Sequence, residues 1–235
     1  MKRLKNMSSN SDYNSSESPF PLERDLGRGK CLLFINGDAP KSLPDLDIYT
    51  LIACTDGAFH YLKDLNFPFE NLDFISGDFD SHSGFDENIY KDKFIYTPDQ
   101  EKTDFHKALE IIAEKGFKNI DVFGGSGGEQ DHFLGNLTVA FGFKENLNIT
   151  FYDAFSEYFF IPKNFILKNV KNKLVSLYPF PTAENVNTKG LNWTLDDENL
   201  SITSRIGTRN FAVEDEVAIE YEKGDLLVFV GKDYL

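Results

Sequence analysis

The sequence predicts an α/β domain, a parallel, Rossmann-like sheet with helices on both faces, followed by an all-β sandwich or barrel domain. Two textures carry the prediction. Between residues 30 and 155 short apolar runs alternate with segments of helical period, the pattern of strands joined by covering helices. Between residues 156 and 235 the runs are short and separated by Asn, Gly, Pro and Asp, with no long helical segment, the pattern of antiparallel strands. A chain of 235 residues can bury a core in each part.

The elements follow in order. Residues 1–29 are rich in Ser and Asn and poor in aliphatics, and read as a flexible tail. Strands are expected at Cys31–Asn36, Tyr49–Thr55, Leu72–Gly77, Lys93–Thr97, Ile120–Gly124 and Asn148–Tyr152, several of them bounded by Gly, Asp or Pro. A helix is expected over Thr103–Gly116, where Phe105, Ala108, Leu109 and Ile112 recur at i, i+3, i+4 and i+7 and Thr103 can cap the first turn. Further helices are expected from Asp56 through Leu65 and from Gln130 to Asn146. In the second part, strands are expected at Tyr158–Pro162, Phe165–Asn169, Leu174–Pro179, around Trp193, and at Leu200–Arg205, Val217–Glu222 and Leu226–Val230.

Composition excludes several functions. The 24 Lys and Arg against 38 Asp and Glu give a formal charge of −14. Such a field repels phosphate backbones, so neither sequence-independent nucleic-acid binding nor docking on anionic membranes is expected. An anionic substrate would have to arrive with metal ions. The two cysteines, Cys31 and Cys54, lie inside apolar runs and provide neither a disulfide framework nor a zinc quartet. The longest apolar runs, Cys31–Ile35 and Leu226–Val230, have five residues, against about 18 for a membrane helix. A cytoplasmic protein is the resulting expectation.

Acidic residues at predicted strand ends carry the chemistry. In GDFDS, Asp78 and Asp80 are two residues apart, so in extended chain both carboxylates face one side, a hard oxygen pair suited to Mg²⁺. Taken alone, this segment reads first as a solvated turn. Asp56, Asp99 and Asp104, however, also fall at carboxyl ends of predicted strands or at the helix start that follows. In a parallel sheet they gather along one edge, where mutual repulsion calls for a divalent cation. The run VFGGSGGEQDHFLGN sets Gly124, Gly125, Gly127 and Gly128 between a strand and a helix, where backbone N–H groups can approach phosphate. It matches neither a P-loop nor GxGxxG. Asp131 and His132 could do acid–base work, but no nucleophile motif accompanies them. Trp193, the only tryptophan, reads either as β-domain core or as an exposed platform for a planar or cationic ligand.

Taken in order, INGD (Ile35–Asp38), DGA (Asp56–Ala58), GDFDS (Gly77–Ser81), DQEKTDFHKAL (Asp99–Leu109), GGSGGEQDHFLGN (Gly124–Asn136), SLYPF (Ser176–Phe180), KGLNWTL (Lys189–Leu195) and GTRN (Gly207–Asn210) resemble the thiamine pyrophosphokinase family. The resemblance implies transfer of the terminal diphosphate of ATP to the hydroxyethyl oxygen of thiamine, with Mg²⁺, by a homodimer holding thiamine near its interface. It implies that Asp78 and Asp80 hold Mg²⁺ and phosphates, with Asp56, Asp99 and Asp104 as further ligands or water anchors. Gln100 and Thr103 would line the nucleotide side, Gly125, Gly127 and Gly128 would approach the nucleotide, and Asp131 and Asn136 would support the site. Trp193 would stack on thiamine with Thr208 and Asn210 nearby. Either Asp80 or Asp104 would accept the alcohol's proton. Two positions depart from the pattern: Glu129 stands where arginine is usual, and Arg209 where a small hydroxyl residue is usual. Diphosphate transfer to another heterocyclic alcohol such as a pterin, and a binding protein that has lost catalysis, are the competing readings.

Overall fold

The computed structural model describes residues 28–78 and 90–234. Nearly all of the expected tail, and Asp80 with it, lies outside the described residues.

Six parallel strands form the first half of the sheet: β1 (Lys30–Phe34), β2 (Leu51–Thr55), β3 (Phe74–Gly77), β4 (Phe94–Tyr96), β5 (Asn119–Phe123) and β6 (Asn148–Tyr152), in the order β4-β3-β2-β1-β5-β6. β2, β3 and β5 are buried along their whole length, as parallel strands covered on both sides must be. Among the described residues three α-helices accompany them: α1 (Asp56–Asp64), α2 (Asp104–Glu114) and α3 (Gln130–Phe143). Side chains alternate between two cores. Cys31 and Leu33 of β1 pack with Phe105, Ala108, Leu109 and Ile112 of α2 and with Leu137 and Ala140 of α3. Leu32 and Phe34 pack with Ala58, Phe59 and Leu62 of α1. α2 begins as its sequence predicts, with Thr103 Oγ1 accepting the His106 N–H at 3.2 Å, and ends before Gly116 at φ +85°.

The second half is antiparallel: β7 (Ser156–Ile161), β8 (Asn164–Leu167), β9 (Lys173–Lys189), β10 (Glu198–Ser201), β11 (Gly207–Phe211), β12 (Val217–Glu220) and β13 (Lys223–Tyr234). It surrounds a core of its own, including Phe159, Val175, Leu177, Val186, Ile219 and Val228. The all-β expectation for this half agrees with the structure. A free-standing second sheet does not: β6 and β7 pair through Phe151↔Tyr158 and Tyr152↔Glu157, and one hydrogen-bonded path runs on through β7-β13-β9-β12-β8. The joint is a tight reversal in which Asp153 Oδ1 accepts the N–H groups of Phe155 and Ser156, each at 2.7 Å. The sequence shows this reversal only as a change of texture.

Three other boundaries differ. β9 runs well past Pro179, because its partner on one side changes from β11, paired to Leu174–Leu177, to β10, paired to Thr182–Val186. Both prolines fall between those two pairings, while Pro179 stays in register with Leu226 of β13. β11 was not expected as a strand, since its bulge puts Arg209 at φ +57° and breaks the alternation. The Trp193 segment forms no strand; besides the isolated bridge Leu191↔Ala212 it meets β11 through the Asn192 N–H, which donates to Phe211 O at 3.0 Å.

Candidate active site

In the order β4-β3-β2-β1-β5-β6 the chain reverses its direction of winding beside β1, and the crevice outside the carboxyl ends of β1 and β5 is where such sheets take ligands. Register aligns the rim: Phe34 pairs with both Cys54 and Phe123, Thr55 with Ser76, and Gly77 with Tyr96. Asp56 and Asp78 therefore follow directly on neighbouring strand ends. Asp56 is 7% exposed and lies so close to β3 that a Cβ on Gly77 would stand 2.4 Å from its Cγ. Only glycine lets the carboxylate occupy that place.

The loop from β4 to α2 joins this rim. The Thr97 N–H donates to Gly77 O at 2.9 Å, and Gln100 Nε2 donates to Asp78 Oδ2 at 3.1 Å. Asp99 closes the loop on itself, its Oδ1 accepting the Glu101 N–H at 2.9 Å. Thr103 Oγ1 accepts the capping bond of α2, so the side chain fixes the join between the loop and the helix. Asp104, in the first turn of α2, has Oδ1 2.7 Å from Lys107 Nζ. Lys107 thus sets a cationic side chain beside one of the expected carboxylates. Lys107 is one turn along the same helix, and the i,i+3 spacing to Asp104 was the signal that could have found it. Beneath the rim, Thr55 Oγ1, Ser76 Oγ and Thr97 Oγ1 are buried with no hydrogen-bond partner among the described residues. Buried hydroxyls of this kind call for polar matter at the strand ends.

The glycine loop forms the other wall. The Asp38 N–H donates to Ser126 O at 2.9 Å, so the INGD segment after β1 and the loop after β5 lie against each other. A Cβ on Gly37 would stand 2.3 Å from Gly124 O, and one on Gly127, at φ +79°, would stand 2.0 Å from Asp38 Cγ. Gly125 rests on the Phe151 ring, and its carbonyl accepts Asn136 Nδ2 at 3.0 Å. Gly128 is exposed at φ +64°. Asp131 sits on the first turn of α3, its Oδ1 accepting the His132 N–H at 2.9 Å, and Glu129 Oε2 lies 3.5 Å from His132 Nε2. All three side chains are exposed. Sequence reading did not single out Asn36 or Asp38, although INGD follows β1 at the switch point.

Trp193 lies on a different part of the sheet. It is 59% exposed, which sets aside the core reading. Its backbone is clasped by Asn210: Oδ1 accepts the Trp193 N–H at 3.1 Å and Nδ2 donates to Trp193 O at 2.7 Å. Phe211 meets its ring edge to face at 5.5 Å. Thr208 is exposed on the same strand as Asn210, and the Arg209 N–H donates to Ser176 Oγ at 2.9 Å. Along the hydrogen-bonded path five strands separate β1 from β11, so the aspartate rim and the Trp193 patch are not neighbours through the sheet.

Fold and rim together define an α/β protein with its ligand crevice at the switch point and an antiparallel extension carrying an exposed aromatic. Residues 46–151 match the family model described as thiamin pyrophosphokinase, catalytic domain, and residues 163–226 the one described as thiamin pyrophosphokinase, vitamin B1 binding domain. Among similar curated proteins, thiamine pyrophosphokinase 1 of Oryza sativa subsp. japonica is 28% identical over 236 residues, spanning 87% of this chain and 88% of the relative. Thiamine pyrophosphokinase of Bacillus subtilis (strain 168) is 26% identical over 217 residues, spanning 87% of this chain and all of the relative. The crystal structure of yeast thiamin pyrophosphokinase has the same fold at a TM-score of 0.75 and 20% identity, over 86% of each chain. That of the Bacillus subtilis enzyme superposes at a TM-score of 0.72 and 24% identity, over 86% of this chain and 99% of that one. The chain belongs to the thiamin pyrophosphokinase family.

Proposed function

We propose that the chain is a thiamine pyrophosphokinase: it moves the terminal diphosphate of ATP onto the hydroxyethyl oxygen of thiamine, releasing AMP. The observation that carries this reading is the contact of Gln100 with Asp78 at a rim already occupied by Asp56, because it brings separate acidic segments to one place in a chain of this family. The donor set suits Mg²⁺, being carboxylate and amide oxygens with buried hydroxyls below them. Asp56, Asp78, Asp80, Asp99 and Asp104 are the residues that would hold it. When bound, the cation neutralises phosphate charge and fixes the polyphosphate in line for displacement.

The chain's own groups do the rest. Gly125, Gly127 and Gly128 let backbone approach the nucleotide phosphates, and Asp131 and Asn136 brace that loop. Gln100 and Thr103 hold the loop on the nucleotide side. A new bond forms between the thiamine oxygen and the β-phosphorus while the bridge from that phosphorus to the α-phosphate breaks, its electron pair leaving on AMP. The alcohol's proton passes to a carboxylate, for which Asp80 and Asp104 are the two candidates. Positioning supplies most of the rate.

Residues 30–155 act in this reading as the nucleotide domain and residues 156–235 as the thiamine domain. The exposed face of Trp193, with Thr208 and Asn210 beside it, supports stacking on thiamine. The five intervening strands support a homodimer in which the tryptophan of one copy serves the rim of the other. Among the described residues no helix is long and apolar enough to cross a membrane, and two buried thiols suit the reducing cytoplasm. Incubating the pure protein with ATP, Mg²⁺ and thiamine tests the assignment: AMP and thiamine diphosphate are expected, and ADP as the nucleotide product would reject it.

A further inference from the structure

Lys107 is only 6% exposed although it carries a charge, and its Nζ has three partners that lie in three functional stretches of chain. Asp104 Oδ1 stands at 2.7 Å, Thr97 O at 2.9 Å and Asp99 O at 3.3 Å. An ammonium has three N–H bonds, so its donor capacity is matched by these oxygens. Thr97 is tied in turn to Gly77, the residue before Asp78, and the loop that follows reaches Asp78 again through Gln100. One buried cation thus fastens the end of β4, the loop carrying Asp99 and Gln100, and the start of α2 to one another. It engages one oxygen of Asp104, whose side chain stays 40% exposed. The neighbouring Lys102 makes a second, more exposed tie between the same loop and α2, pairing with Glu110 at 2.8 Å.

We infer that Lys107 is a positioning residue of the diphosphate-transfer site: its buried ammonium orients Asp104 and anchors the Thr97–Asp104 loop, so that the acidic rim is assembled to receive a divalent cation before substrate arrives. The inference rests on the proposed function for its meaning and on the three contacts for its evidence. Removing the charge leaves the Asp104 carboxylate and two carbonyls without their common donor, and the loop loses the arrangement that converges on Asp78. The loss falls on cation and nucleotide binding, because Lys107 touches nothing of the Trp193 patch. A lysine that merely stabilised the fold would lower the melting temperature and leave the ratio of these affinities alone.

The experiment compares Lys107→Met, Lys107→Gln and Lys107→Arg with the wild-type full-length protein, using Lys168→Met, at an exposed position in the antiparallel half, as control. Mn²⁺ binding is followed by electron paramagnetic resonance, with and without a non-hydrolysable ATP analogue, and folding by near-ultraviolet circular dichroism. Both charge-removing variants are expected to bind Mn²⁺ at least tenfold more weakly and to need at least tenfold more Mg²⁺ for half-maximal turnover. Their KM for thiamine should stay within twofold of wild type. Lys107→Arg should recover Mn²⁺ binding to within threefold, and Lys168→Met should match wild type. Wild-type Mn²⁺ affinity in either folded charge-removing variant overturns the inference, as does an arginine variant no better than the methionine one. Should wild type bind Mn²⁺ as described yet make no thiamine diphosphate, the functional assignment fails while the role of Lys107 is still read from the binding data.

Discussion

Asp78 and Trp193 are the side chains whose removal separates function from stability most cleanly. Asp78 is partly exposed in a crowded acidic rim, and its replacement by Asn keeps the shape that meets Gln100 while removing a charge. Asp78→Asn is expected to lower kcat about a hundredfold or more, the scale of losing one preorganised electrostatic group, with the melting curve unchanged; full turnover would remove Asp78 from the cation site. Trp193→Ala deletes an exposed ring held through its backbone, so the fold should not respond. Loss of a ring facing a cationic ligand, worth about 2 kcal/mol, corresponds to a rise of about thirtyfold in the KM for thiamine. A KM for thiamine at the wild-type value would place the vitamin elsewhere. Glu129 adds a smaller lesson: its exposed carboxylate stands beside His132 rather than among the rim aspartates, so the substitution leaves the Asp78–Gln100 contact as it is.

At the scale of elements, the two rim loops after β1 and β5 behave as one unit. Gly37→Ala is expected to cost about 1–3 kcal/mol, measured by denaturant unfolding, because its new Cβ would meet two backbone carbonyls, Gly124 O at 2.3 Å and Ser126 O at 2.5 Å, neither of which can swing aside. The same change should raise the KM for ATP while sparing that for thiamine; an unaltered KM for ATP would detach the glycine loop from the nucleotide. The parallel strands and α2 were legible because burial on both faces leaves unbroken apolar runs, and because Thr103, the i, i+3, i+4, i+7 apolar set and Gly116 each mark part of a helix. β11 and the full length of β9 were not, since a bulge at Arg209 and a change of partner around Pro179 are decided by distant strands rather than by local pattern. In the site, Asp78 and Asp99 could be read from strand ends. The anchoring of their loop by Lys107 could not be read without the fold, since it depends on backbone carbonyls that composition does not reveal.

For the molecule as a whole, charge and burial set the response to pH. Asp121 is 2% exposed and held by Lys30 Nζ at 2.6 Å and the Tyr49 hydroxyl at 2.7 Å, yet burial pushes its carboxyl above the usual range. Burial raises Glu157 as well, with the Asp121 charge adding to the effect and Lys173, Lys30 and Lys232 opposing it. A carboxyl raised in the folded state contributes stability that is complete below its unfolded value, about pH 4, and that is lost as pH rises through the folded value. Glu157→Gln removes one such group, so the stability of wild type relative to this variant should fall between pH 4 and neutrality, measured by denaturant unfolding at several pH values. A difference that grows over that interval would mean that the lysines outweigh burial. The net charge of −14 acts in the same direction, adding self-repulsion as the remaining carboxyls ionise.

The pairing of β6 with β7 bears on how the protein can move. Large closures elsewhere pivot on a few connecting residues outside any ladder. Here hydrogen bonds bridge the seam at Phe151↔Tyr158 and Tyr152↔Glu157, and the rings of Phe151, Tyr158 and Phe229 stack across it. The parallel and antiparallel halves are thereby splinted together, so a pivot between them would have to break that ladder.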